Sequence, residues 1–344
     1  MLPMMAKIME ETILKWSGEI SKYGKVEIEV SDWFQNLAEE VITRVTFGSS
    51  YEVGRAIFEM QAIAHATGAY HKLTIPGYRF LLTKKNIISW RLENQIRESL
   101  LKIINDQRAR TRENPATASG ECPNDLLELM IKASDGSSNV TENEIVEECK
   151  TFLFAGKETT SNLLTWTAVL LAMHPQWQEQ ARVEVLRVCG ARDTPTKDDL
   201  AKLKMLGMIL NESLRLYPPV VATIRQAKSD VQLGGIHIPG GTKLIIPILA
   251  VHHNPGLWHH DADEFNPVRF ASGEHQVAFM PFGLGARRCV GQNLAILQVK
   301  LVVAMILRRF TFELAPSYVH APSVVMLLHP QQGAPLIFRK LQDR

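Results

Sequence analysis

The chain has 344 residues, 46% of them hydrophobic and 22% charged, and 38 basic against 36 acidic side chains give a net charge of +2. This is the composition of a globular protein with a sizeable core, and so even a balance excludes a general nucleic-acid or polyanion binder. The four cysteines, Cys122, Cys149, Cys189 and Cys289, form no CxxC or CxxH pair, which excludes the usual structural zinc sites and a disulfide-stapled scaffold.

In chain order, Leu2, Met5, Ile8, Met9, Ile13 and Trp16 fall on one side of a first amphipathic helix. Charges recur every few positions there, so these residues do not make a membrane span, which needs about 20 mostly apolar residues. Val26–Val30 (VEIEV) is a short β-prone run, and Asp32–Phe47 is a second amphipathic helix that ends at Gly48-Ser49-Ser50. Trp90–Arg112 reads as a long basic helix running into the linker ENPATASGECPND.

At Thr141 a capping box announces the longest helix, with Glu144 three residues on. The pattern runs unbroken to His174-Pro175, roughly 33 residues or about 50 Å of helix. Helices over Pro175–Cys189 and Leu203–Tyr217 follow, the second closed by Pro218-Pro219. Around Gly-Gly and Pro-Gly-Gly turns, Val231–Ile238 and Lys243–Ile248 predict a small antiparallel sheet. A loop rich in Pro, His and Asn leads to Cys289, a last helix spans Gly291–Phe310, and a proline-punctuated end predicts short strands and turns. The fold class is mainly α with a minor β part.

Chemistry concentrates in Pro281–Gly291, PFGLGARRCVG. Gly283 and Gly285 free the backbone for conformations closed to other residues and for close approach to a flat ligand. Cys289 stands at the start of the following helix, where unpaired N–H groups and the positive dipole end favour a thiolate, and Arg287 and Arg288 add charge beside it. A glycine-rich turn with an incidental cysteine is the plainer alternative. A dinucleotide fingerprint is excluded, because Arg288 occupies the place of its third glycine.

Phe282, Gly285, Arg287, Cys289 and Gly291 spell FxxGxRxCxG. In this spacing the chain resembles the cytochrome P-450 superfamily of haem-thiolate monooxygenases, whose haem ligand is a cysteine thiolate. The resemblance implies that Cys289 is the axial ligand of the haem iron, within a cofactor-binding loop that includes Phe282, Gly283, Gly285, Arg287 and Gly291. Three further signatures occur in the family's order. Glu212 and Arg215 form an ExxR pair on one helix face, and the resemblance adds Arg269, from FNPVRF, as the third member of a structural cluster. Val268 stands where the family usually has a glutamate. Taken alone, the ExxR pair reads sooner as a solvated surface bridge worth little.

The third signature, Ala155-Gly156-Lys157-Glu158-Thr159-Thr160, interrupts an apolar stretch of the long helix with residues that weaken helices. The resemblance implies a loosened turn that makes room for dioxygen over the haem. It casts Thr159 as the hydrogen-bond partner of bound oxygen and Glu158 as the acid that relays protons. The fourth is Arg225, lying after the Pro-Pro stop and before the first strand of the small sheet; by resemblance it pairs with a haem propionate alongside Arg287. Its sequence is equally that of a plain surface arginine. The pairs His252-His253 and His259-His260 lack the spacing of a metal motif, and neither GxSxG nor HExxH occurs.

The blocks FAGKETTSNLLTWTAVLLAMHPQWQEQARVEVLRVCG and LNESLRLYPPVVATIRQAKSDVQLGG are similar to plant members, and among them to the brassinosteroid-inactivating hydroxylases. Relatives in that clan act on cytokinins, gibberellins, fatty acids and terpenoids. The resemblance implies an apolar small-molecule substrate, O2, electrons from NADPH through a reductase, and the cytoplasmic face of the endoplasmic reticulum membrane. It covers residues 1–344 as a single, N-terminally incomplete domain, about the C-terminal two thirds of a typical member. The anchor, the first strands and a propionate-gripping helix are expected to be missing. A remnant that keeps the motifs without catalysis, or a haem protein used for sensing, are the competing expectations.

Overall fold

The 3.6-residue apolar rhythm decides most of the architecture, and its breaks decide where the chain turns. A computed structural model describes residues 1–48, 54–58, 60, 81–113, 125–135, 140–272 and 278–341. Ser49, Ser50, Cys122 and nearly all of the linker lie outside the described residues. The protein is mainly helical, with a minor β part. It divides into two compact units, one of Met1–Gln35 with Glu158–Arg344, the other of Asn36–Lys157.

The first unit opens with α1 (Leu2–Tyr23), which buries Met5, Met9, Ile13 and Trp16 and ends on Gly24 in the left-handed conformation. Strand β1 (Val26–Glu29) follows, and Val30 already begins α2 (Val30–Phe47). After the long helix come α6 (Pro175–Cys189), α7 (Lys197–Lys202), α8 (Lys204–Leu216) and, later, α11 (Gln292–Arg309). Helix α11 is almost wholly buried from Gln298 to Leu307 and packs against α1 and α6. An antiparallel sheet in the order β1–β9–β6, with β6 at Phe310–Leu314 and β9 at Pro335–Lys340, closes this core. Trp16 meets Trp33 and Phe338 there at 4.7 and 4.8 Å between ring centres.

In the second unit α3 (Lys84–Glu113) starts six residues ahead of the sequence boundary at Trp90, because the Thr83 hydroxyl caps it by accepting from the Asn86 N–H at 3.2 Å. Helix α4 covers Leu126–Asp135 and the long helix α5 covers Glu142–Met173, its residues from Glu158 on belonging to the first unit. The capping box forms: Thr141 N donates to Glu144 Oε2 at 2.7 Å, and Glu144 N to Thr141 Oγ1 at 3.3 Å.

The small β part differs from the sequence expectation. The hairpin of β3 (Val231–Leu233) and β4 (Ile236–Ile238) forms across Gly234-Gly235, both at positive φ. Lys243–Ile246 (β5) does not join it. It pairs instead with β2 (Thr223–Gln226), Arg225 opposite Leu244, so Arg225 lies on a strand rather than ahead of the first one. After Pro247 the chain turns into the short helix α9 (Ile248–His252), followed by α10 (Pro255–Trp258).

Helix α8, which carries Glu212 and Arg215, begins at Leu203 with no side-chain cap of its own. A buried carboxylate from α6 supplies one. Glu184 accepts from the N–H groups of Lys204 and Met205 at 2.9 Å and of Leu206 at 3.0 Å, satisfying donors that every helix start leaves open. Glu184→Ala is expected to lower the unfolding free energy by about 2–4 kcal/mol, since several buried donors lose a charged partner; Glu184→Gln is expected to cost less. Denaturant midpoints of the two variants check this order.

Candidate functional site

The site is built outward from α8. Glu212 and Arg215 are both wholly buried, three residues apart on the helix face turned toward residues 252–270. Arg215 Nε and Nη2 donate to the two Glu212 oxygens at 2.7 and 2.8 Å. Its remaining N–H groups reach the carbonyls of His252, Ala262 and Glu264, so all five donors of the guanidinium are used. Arg269, on the 3-10 turn Pro267–Phe270, donates through Nε to Glu212 Oε1 at 3.2 Å. Its other donors go to the Trp258 carbonyl and to Asp261, backbone and side chain. The three residues singled out in the sequence therefore meet, and the surface-bridge alternative is excluded by their burial.

Asp261 is a fourth member that sequence reasoning missed. The Arg269 hydrogen bonds, helped by Asn266 and opposed by partial burial, hold its carboxyl down at about 2. Nothing in its spacing from Arg269 marks it, because the turn that brings the two together is irregular.

The cysteine loop follows. Gly283 and Gly285 both have φ of +69°, a conformation that L side chains rarely adopt. The Gly283 N–H donates to the Met280 carbonyl at 3.0 Å, and the Cys289 N–H to the Phe282 carbonyl at 2.9 Å. Gly285–Arg287 form a 3-10 turn, and Arg287 is exposed. The cysteine does not start α11, as its sequence position suggests: the N-cap is Gly291, two residues on. Gly291 adjoins the sulfur: a Cβ there would lie 3.9 Å from Cys289 Sγ, an ordinary contact.

Among the described cysteines, Cys289 alone is exposed; Cys149 and Cys189 are buried. Burial, with Glu148 and Asp125 nearby, pushes the Cys149 thiol up to about 12, and burial also raises that of Cys189. Neither is a usable thiolate near neutral pH. Exposed Leu284 and Val290 flank the loop with apolar surface. Arg225 is half-buried on β2, its Nη1 donating to the Thr223 hydroxyl and the Ile224 carbonyl.

Glu158 and Thr159 are half-buried on α5. The Glu158 carbonyl accepts from Ser161 Oγ at 3.1 Å and Asn162 Nδ2 at 2.8 Å, so side chains compete for the backbone acceptor at this turn. The helix nevertheless continues without interruption. Gly156 has a packing reason of its own, since a Cβ there would meet Ile42 side-chain carbons at 2.5 Å. Among the described residues, no group of three or more His, Cys, Asp or Glu side chains is placed to hold a metal ion. Both ring nitrogens of His253 are engaged, with Asp263 and the Leu216 carbonyl, at 2.9 Å each.

These features fit a haem. Its iron takes a cysteine sulfur, and among the described cysteines Cys289 alone is exposed; its flat face needs a loop with glycines and apolar flanks; its propionates call for cations such as Arg225 and Arg287. Fold and loop thus define a mainly helical protein with an exposed cysteine on a glycine turn. The cytochrome P450 family model matches residues 1–336, and the chain belongs to that family. It is 57% identical to cytochrome P450 734A1 of Arabidopsis thaliana over all of its length and 56% identical to cytochrome P450 734A6 of Oryza sativa subsp. japonica over 98% of it. It is also 41% identical to the 11-oxo-beta-amyrin 30-oxidase of Glycyrrhiza uralensis over 99%. The chain spans about two thirds of the length of these relatives, 67%, 66% and 67% respectively. Among the described residues, no helix is long and apolar enough to cross a membrane.

Arg269→Ala removes one partner from a buried carboxylate and is expected to destabilise the protein by about 3–5 kcal/mol, read by denaturant unfolding. Asp261 adds a pH dependence. Its carboxyl is at about 2 in the fold against 3.8 ordinarily, so the unfolded chain takes up the proton first as pH falls. The stability it contributes is full above about pH 4 and lost on the way down to about pH 2. Asp261→Asn is expected to flatten acid unfolding in that window, which thermal melts at stepped pH would register.

Proposed function

We propose that this chain is the haem-bearing part of a monooxygenase that hydroxylates an apolar polycyclic small molecule, with Cys289 as the residue that would hold the iron. The observation that carries the reading is the contrast between cysteines: Cys289 stands exposed on a hydrogen-bonded glycine turn, while Cys149 and Cys189 are buried. When bound, the haem would supply the activation of dioxygen that oxidises an unreactive C–H bond. The chain's residues do the rest. The bond from the Cys289 N–H to the Phe282 carbonyl orients the sulfur, and Gly283, Gly285 and Gly291 keep side chains out of the way of the ring. Arg287 and Arg225 bind the two carboxylates of the cofactor by charge-assisted hydrogen bonds.

Thr159 Oγ1 and the Glu158 carboxyl hold and pass the protons that O–O cleavage consumes. The half-buried setting of both side chains supports this role, since a proton relay needs one end at water. Electrons are proposed to come from NADPH through a reductase at the cytoplasmic face of the endoplasmic reticulum. A cavity of about 1030 Å³ beside the cysteine loop, bordered by Lys197, Lys204, Arg288 and Lys300, supports an acidic partner at this face.

For the substrate, the similarity to brassinosteroid-inactivating hydroxylases favours a steroid side chain. The similarity to an oxidase of 11-oxo-beta-amyrin supports the broader class of fused-ring terpenoids. Spectral titration with a panel of steroids and triterpenoids tests both: a shift with steroids alone fits the narrower reading, and a shift with neither class refutes it.

The reduced, carbon-monoxide-treated protein is expected to show the Soret band of thiolate ligation, and Cys289→Ser to lose it; a chain that takes up no haem would overturn the proposal. Thr159→Ala is expected to leave haem content unchanged while lowering product formed per NADPH consumed by about tenfold or more. Fully coupled turnover in that variant would remove Thr159 from the proton path.

A further inference from the structure

His252 ends α9 with its side chain wholly buried, between the ion cluster and the cysteine loop. Its carbonyl accepts from Arg215 Nη1 at 2.9 Å. Its ring Nε2 lies 3.1 Å from the backbone nitrogen of Met280. An amide N–H can only donate, so Nε2 is an unprotonated acceptor and the neutral ring carries its hydrogen on Nδ1. Among the described residues Nδ1 has no hydrogen-bond partner. The ring lies nearly parallel to Phe279, with centres 5.6 Å apart, and edge-on to Trp258.

This arrangement is costly for a residue that merely fills space. The backbone of Arg215 and Leu214 favours a proton on the ring without completing a hydrogen bond to Nδ1, so the buried N–H recovers only part of its lost hydration, a cost that a leucine or phenylalanine filling the same space would not carry. What only the imidazole provides is the acceptor at Nε2. The Met280 amide stands at the entrance of the loop, and the bonds run on from it. The Met280 carbonyl accepts from Gly283, and the carbonyl of Phe282, next in sequence to Gly283, accepts from Cys289.

We propose that His252 is a positioning residue, tying the turn that presents Cys289 to the buried Glu212–Arg215–Arg269 cluster through its Nε2 and the Met280 N–H. The inference rests on the reading of Cys289 as the iron ligand only for its consequence, that the sulfur is held in one orientation; the tie itself belongs to the protein alone. Burial is the main reason the ring stays neutral, its pKa lowered to about 4; the backbone of Arg215 and Leu214 opposes the shift and the charges of Arg215 and His253 add to it, so the acceptor persists at ordinary pH. A plain core histidine makes a different forecast: any side chain of similar volume would serve.

The test compares His252→Gln, whose Oε1 reaches about as far as Nε2, with His252→Leu, which fills the space and offers no acceptor. In the full chain, hydrogen exchange across residues 279–284 is expected to quicken about tenfold or more in His252→Leu and to stay within about threefold of wild type in His252→Gln. Exchange over residues 209–216 should not change in either. In the haem-loaded protein, the share of the reduced carbon-monoxide adduct with the thiolate band is expected to fall in the leucine variant and to be kept in the glutamine variant. Equal exchange at residues 279–284 in the two variants would overturn the proposal. Should His252→Leu not fold, His252→Asn, whose acceptor is too short to reach Met280, replaces it under the same criterion. A wild-type chain without haem would sink the assignment of Cys289, while the exchange comparison still decides the role of His252.

Discussion

Glu212, Arg215 and Arg269 put three charges where their side chains are almost without contact with water, 0%, 0% and 4% exposed. Removing such groups from water costs several kcal/mol apiece, and their mutual attraction offsets that only when the geometry is good and every remaining donor is met. Here it is met. Both guanidinium groups place their N–H donors on oxygen, half of the bonds on main-chain carbonyls of residues 252–264 and half on the carboxylates of Glu212 and Asp261. The cluster therefore fixes backbone that has little regular secondary structure to fix it. A segment of short turns, with His259 at positive φ, is held against α8 by charge rather than by a ladder.

That fixed segment is what the cysteine loop leans on. The loop has two glycines at positive φ and a string of exposed residues from Leu284 to Val290, so little apolar burial is available to hold it. Backbone hydrogen bonds do most of the work, and their inner end is His252. The Cys289 thiol is thus exposed on a turn whose backbone is hydrogen-bonded, the setting that the proposed role as iron ligand calls for. Cys149 shows the alternative: deep burial, a thiol pushed up to about 12, and no chemistry to offer.

Much of this was legible in the sequence, for a definite reason. Long helices declare themselves by periodicity and caps, and Thr141-x-x-Glu144 and Pro175 mark boundaries that the structure keeps to within a residue. The cluster and the loop were legible because their spacing matches a family pattern. What stayed hidden shares one trait: it depends on contacts between residues far apart in sequence and within irregular backbone. Glu184 caps a helix 20 residues away, Asp261 meets Arg269 across a turn, and His252 reaches Met280 over 28 residues. The pairing of β5 with β2 belongs here too, because strands of four residues carry too little alternation to choose a partner.

The turn at residues 155–160 shows how structure redistributes an argument without changing its subject. From sequence, glycine and threonines together suggest a helix weakened for a purpose. The contact between Gly156 and Ile42 explains the glycine by close packing, and α5 stays helical through the whole stretch. The glycine is then no evidence for a chemical role. What remains is the pull of Ser161 and Asn162 on the Glu158 carbonyl, together with two half-buried proton-carrying side chains in succession. Side-chain donors at a backbone acceptor compete with the helix's own hydrogen bond there. The proposed chemistry at this turn thereby rests on Glu158 and Thr159 alone, without the glycine that packing accounts for.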